Sequence, residues 1–201
     1  MPPRPPLITV RACDACNNGA SADDEAFRAF MSVRAGSEEG ETHALWQTTL
    51  RGIRRNRREF RRLVASMRTW PSYSRSGLLW TGNRVAATFP AGPHDRVMSR
   101  TTRGLYFHHF GERMPPDIRL DLSVMNPDAL GFQMWLGKTL PGLRVCDIGG
   151  SERFGYAFGR LEDSPATSLW LYQIYRTHVV LCISEPGQGG TATDDRPPVS
   201  I

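Results

Sequence analysis

The chain has 201 residues, of which 40% are hydrophobic, 9% aromatic and 22% charged. That balance excludes collagen-like, coiled-coil and wholly disordered chains and suits one ordinary domain, or a small module joined to a larger one. The formal net charge of +5 favours anionic partners, although Lys138 is the sole lysine and arginine carries the rest, so the placement of the arginines matters more than their sum.

No apolar run approaches the ~20 residues that a membrane-spanning helix needs. The opening Met1-Pro2-Pro3-Arg4-Pro5-Pro6 has no apolar stretch of the secretory kind, so a cytoplasmic protein is expected. Residues 7–10, Leu-Ile-Thr-Val, are β-prone and lead into Cys13-Asp14-Ala15-Cys16-Asn17-Asn18-Gly19. Ser21 followed by Asp24 has the form of a capping box. Phe27, Phe30 and Met31 then recur at helical spacing, predicting a helix that ends near Gly36.

Thr42 is placed to cap a second helix carrying Leu45, Trp46, Leu50, Ile53, Phe60, Val64 and Met67 on one side, with Asn56 a point of interruption. On the other side, Arg51, Arg54, Arg55, Arg58, Arg61 and Arg62 follow at intervals that put all six on one helical face. Such a stripe is able to track a phosphate backbone, so DNA or RNA is the expected partner. A plain solvated face and a membrane-surface helix remain the competing readings.

Residues 71–77 read as a loop. A hairpin is expected from Leu78 to Trp80 and Arg84 to Phe89, turning at Thr81-Gly82-Asn83 and closed by Pro90 to Pro93. Residues 94–110 read as a helix stopped by Gly111, with His108 and His109 near its cationic-friendly end. Strands are expected at Ile118 to Met125, Leu143 to Ile148, Arg153 to Gly159, Ser168 to Tyr175 and His178 to Ser184, with 129–138 ambiguous between loop and short helix. Trp170, Tyr172 and Tyr175 alternate as residues of a packed sheet face do, and Cys146 and Cys182 fall in apolar runs where cysteine packs as a small hydrophobe.

The expected class is therefore α+β: an N-terminal zinc-knuckle-like turn and helices, then a mainly antiparallel C-terminal sheet. The divisions are 1–36 for the knuckle segment, 37–184 for the region with the basic helix and antiparallel meander, and 185–201 for a Gly/Pro/Thr/Asp tail expected to be disordered.

Cys13 and Cys16 have the spacing with which two thiolates grip one zinc ion. A redox pair is the rival, but in that chemistry the first cysteine sits at a helix start, and Asn17-Asn18-Gly19-Ala20-Ser21 intervenes here. A pair of ordinary surface cysteines is the third reading. The stretch from Leu7 through Cys13, Cys16, Asn17, Gly19 and Asp23-Asp24-Glu25 resembles the second half of bacterial HNH endonuclease-like proteins with a zinc-stabilised ββα-metal core. Arg103-Gly104-Leu105-Tyr106-Phe107-His108-His109-Phe110-Gly111-Glu112-Arg113 also looks like a region downstream of the knuckle in that group.

The resemblance implies that Cys13 and Cys16 are two of four ligands of a structural zinc. It also implies that a divalent cation such as magnesium takes part only where the full nuclease core is present. In the family, a first cysteine pair and an acidic-His segment precede this knuckle; this chain begins after that place. The resemblance therefore implies either a misplaced gene start or truncated gene, the favoured reading, or a degenerate relative, and no cleavage by the chain as given. The other expectation is a non-catalytic module whose meander, 118–184, binds a protein or small ligand.

Overall fold

The computed structural model describes residues 8–10, 19–34, 47–49, 51–52, 57–74, 76–148, 153–187 and 199–200. The chain is α+β and divides into two compact units: Met1–Asp23 with Asp95–Thr193, and Asp24–His94 with Asp194–Ile201.

The larger unit is built on a sheet of β4 (Ile118–Met125), β5 (Arg144–Ile148), β6 (Phe154–Arg160), β7 (Ser168–Ile174) and β8 (His178–Pro186). Its order is β4-β8-β7-β6-β5 and every neighbouring pair is antiparallel. Strands β5 to β8 form the expected meander. The first strand, β4, pairs with the last, matching Ile118 to Pro186 through Met125 to Val179. Getting from β4 to β5 at the opposite edge requires a crossover, which is the helix Leu130–Thr139 and its 3-10 extension Leu140–Gly142. The ambiguous 129–138 segment is thus a helix.

Period-2 alternation gives this sheet two different faces. On one, Tyr156 and Phe158 of β6 lie opposite Tyr172 and Trp170 of β7, with Val180 and Cys182 of β8 alongside. All six are buried under the helix Ala91–Phe110. Thr102 on that helix lies 2.7 Å from the Tyr172 hydroxyl and donates to the Met98 carbonyl at 2.9 Å, so neither buried hydroxyl is orphaned. His109 hydrogen-bonds the Tyr156 hydroxyl at 2.8 Å and stacks on Phe158 with centroids 4.1 Å apart. On the other face, Ala157, Leu171 and Val179 bury Phe132 of the crossover helix, with Trp135, Leu136 and Leu143 packed around it. The sheet is therefore sandwiched between helices, and Trp170 and Tyr172 are core residues, as their alternation implies.

The helix Ala91–Phe110 starts before the expected residue 94, because Pro93 falls in its first turn, where no backbone N–H is needed. It stops where the sequence says: Gly111 takes φ +70 and its N–H bonds the Phe107 carbonyl at 2.9 Å, an αL cap. The cationic role expected for His109 is not what its surroundings favour. Burial, then the neighbouring His108 and Arg144, holds its pKa below the usual histidine value, so the ring is neutral at neutral pH. Near the other end, buried Asp23 receives Arg96 at 2.9 and 2.7 Å and Arg100 at 3.1 Å.

In the smaller unit, α1 (Ala20–Arg34) runs into it from Asp24. Ser21 lies inside α1 rather than capping it, since the helix begins at Ala20. Phe30 and Met31 are buried, and Phe30 meets Phe89 edge-on at 5.5 Å and His94 at 5.3 Å. Of the second predicted helix, residues 47–49, 51–52 and α2 (Arg57–Ser66) are helical; Asn56 and its neighbours 53–55 lie outside the described residues. Val64, expected on the apolar side, is exposed, while Leu63 is buried.

The loop and hairpin expected over 71–89 need correction. Residues 68–73 form β1 (Arg68–Tyr73), which pairs antiparallel with β2 (Trp80–Ala86) in a two-stranded sheet. The turn is at 74–79, and Thr81-Gly82-Asn83 lies within β2. A two-stranded sheet has only edge strands, which is where Pro71 is tolerated, so proline and serine content did not prevent strand formation. Hydroxyls do the turning: the Ser74 N–H bonds the Leu79 carbonyl at 2.7 Å, the Leu79 N–H bonds the Ser74 hydroxyl at 3.2 Å, and Ser74 and Ser76 hydroxyls are 2.9 Å apart. Within the expected tail, Glu185 and Pro186 complete β8, and Val199–Ser200 pair antiparallel with β3 (Thr88–Phe89). Residues 188–198 lie outside the described residues.

Candidate nucleic-acid interface

The arginines of the expected stripe do not all come under description. Arg51 is helical and exposed, its guanidinium reaching back to the Gln47 carbonyl and the Thr48 hydroxyl at 3.3 Å each. Arg61 and Arg62 are exposed on α2. Arg58 belongs to α2, but its side chain lies outside the described residues, as do Arg54 and Arg55 altogether. Cys13 and Cys16 also lie outside them. Among the described residues, no group of three or more His, Cys, Asp or Glu is arranged to hold a metal ion, and no helix is long and apolar enough to cross a membrane.

Helix α2 carries its cations where they are accessible because Leu63 anchors it inward while Arg61 and Arg62 flank that anchor. It ends at Ser66, where the Arg68 guanidinium donates to the Ala65 and Met67 carbonyls at 3.2 and 3.1 Å, supplying partners and positive charge to the helix C-terminus. One residue, Met67, separates that helix from β1, so basic helix and hairpin are consecutive.

Reading the stripe as a purely helical feature missed its extent. Between residues 51 and 84 the sequence holds ten arginines, adding Arg57, Arg68, Arg75 and Arg84 to the six, against the single acid Glu59. That excess of nine exceeds the +5 of the whole chain, so everything outside the segment is net negative. The signal was available in a charge count taken across the assumed loop. The exposure of Trp70, Tyr73 and Trp80 in the same segment was not, since it depends on tertiary packing rather than on local sequence.

Two of the described histidines are taken up by packing. His109 is committed to Tyr156 and Phe158 in the core, and His94 packs against Phe27 and Phe30. Cys182 is fully buried, with the Thr102 hydroxyl 3.6 Å from its sulfur, and Cys146 is half-buried; neither is in a disulfide. In comparisons with known proteins, no family model, no curated protein and no solved structure matches the chain.

Proposed function

We propose that this chain is a nucleic-acid-binding protein, of the HNH endonuclease-like kind that its knuckle resembles, and that it binds rather than cleaves. The supporting observation is the confinement of positive charge: ten arginines and one acid over 51–84, with Arg51, Arg61 and Arg62 exposed. Arginine releases the counterions condensed on a phosphate backbone and forks onto phosphate oxygens in a way lysine does not. A net-negative remainder confines that attraction to one part of the chain.

Of the positions that match the family's motif, Cys13 and Cys16 are thiolate donors for a structural zinc and none is a general base, so hydrolysis is not part of the reading. A divalent cation such as magnesium would enter only with a complete nuclease core. A cytoplasmic location goes with a nucleic-acid partner. The alternative, an interaction module using the meander, gains little support from a sheet whose two faces are both occupied by helices.

The test is fluorescence anisotropy of a labelled oligonucleotide titrated with the protein at rising salt. Affinity is expected to fall linearly on a log–log scale, with a slope of about −0.7 per phosphate contacted on a single strand. An absent or salt-independent interaction would contradict the reading.

A further inference from the structure

We propose that the β1–β2 hairpin is a base-stacking surface, and that the nucleic acid this protein takes is therefore single-stranded. The inference rests on the nucleic-acid reading above and adds its substrate class.

Five large apolar side chains stand in solvent within eleven residues: Trp70 at 61%, Tyr73 at 55%, Leu78 at 85%, Leu79 at 68% and Trp80 at 63% exposed. Singly exposed hydrophobes are ordinary; five within eleven residues of one hairpin mark an interaction segment. Tyr73 and Trp80 are direct cross-strand partners, and Trp70 is in register with Arg84. The hairpin that presents them is held in shape by its own polar bonds. Thr81 donates to the Ser72 hydroxyl at 3.0 Å, and the Ser74 amide and hydroxyl close the turn on Leu79. The rings are thus offered by an ordered platform, which lowers the entropic cost of binding.

Charge and backbone chemistry select the occupant. From residue 60 to residue 84 there are five arginines and no acid, complementary to phosphate. A duplex keeps its base faces stacked on one another, so exposed rings find bases to stack on only where these are unpaired. Insertion into lipid would instead bury the outward N–H and C=O groups of both strands, each of which is an edge. The hydroxyls of Ser72, Ser74, Ser76 and Thr81 would go with them.

The experiment compares an oligo-dT strand with a duplex of equal length, for the intact protein, Trp70→Ala/Trp80→Ala and Trp70→Phe/Trp80→Phe, with vesicles of anionic lipid as a third probe. The strand is expected to bind more tightly than the duplex and to quench tryptophan emission. The alanine variant, at exposed positions that leave the core untouched, is expected to lose affinity for the strand about tenfold or more, with its salt slope unchanged. The phenylalanine variant should recover most of that loss. Equal affinity for strand and duplex, or an alanine variant that binds dT normally, would overturn this inference while leaving the salt-dependent binding standing. Absence of any nucleic-acid binding by the intact protein would remove both readings. Emission shifting with vesicles and not with dT would overturn the inference in favour of a lipid surface.

Discussion

Two glycines show how differently the same added methyl would be received. A Cβ at Gly159 would lie 2.9 Å from Leu143 Cδ2, the movable end of a side chain, whereas one at Gly187 would lie 2.7 Å from the Asp117 carbonyl oxygen, to which the Gly187 N–H already bonds at 3.2 Å. A side-chain tip can rotate away; a carbonyl next to the start of β4 cannot move without disturbing the Ile118–Pro186 pairing. Gly159→Ala is therefore expected to change stability by less than about 1 kcal/mol, because the entropy gained offsets the crowding. Gly187→Ala is expected to cost about 1–3 kcal/mol. Urea midpoints of the two variants check this; equal shifts would mean that the β8 end yields as readily as a leucine tip. Neither contact was legible from the sequence, which shows the glycines but not what approaches them.

Elements were legible where their signal is local. The Gly111 stop, the four meander strands and the β4 bounds follow from propensity and periodicity over a few residues. The pairing of β4 with β8 was not, since it joins residues some sixty apart and depends on the crossover helix lying over the sheet. Nor was the β1–β2 hairpin, because Pro71 and the serines read as loop and are acceptable only because, among the described residues, both strands are edges.

The helix Ala91–Phe110 carries a pH dependence of its own through Asp23. Arg96, more than Arg100, holds that carboxyl below its usual value against the opposing effect of burial. The unfolded chain therefore binds this proton first as pH falls. The stabilisation is complete above the unfolded value near 3.8 and is lost as pH drops through the folded one. In urea unfolding between pH 5 and pH 3, the intact protein should lose more stability than Asp23→Asn, which lacks the titrating group. Parallel losses in the two would show that the Arg96 bonds contribute nothing. His109 acts in the same sense at higher pH: its value is depressed from 6.5, so its contribution is present above that pH and declines below it.

Among the described residues, core hydroxyls such as those of Thr102, Tyr172, Ser168 and Ser184 are hydrogen-bonded, whereas Arg51, Arg61, Arg62 and the rings of Trp70, Tyr73 and Trp80 are exposed. Trp170 and Tyr172 are completely buried and Trp70 and Trp80 largely exposed, so the same residue types are packed in one place and offered to solvent in another. The basic segment was visible in the sequence as six arginines at helical spacing. Its continuation through Arg68, Arg75 and Arg84 falls outside that helical spacing, with Arg75 in the expected loop and Arg84 in an expected hairpin strand. The measurement that bears most directly on the proposed activity is the salt slope of single-strand binding for Arg51→Gln/Arg61→Gln/Arg62→Gln, a variant that keeps good helix formers at exposed sites. Three lost phosphate contacts should make the log–log slope shallower by about 2. A slope identical to that of the intact protein would mean that these arginines do not meet the phosphates, and the nucleic-acid reading would lose its basis.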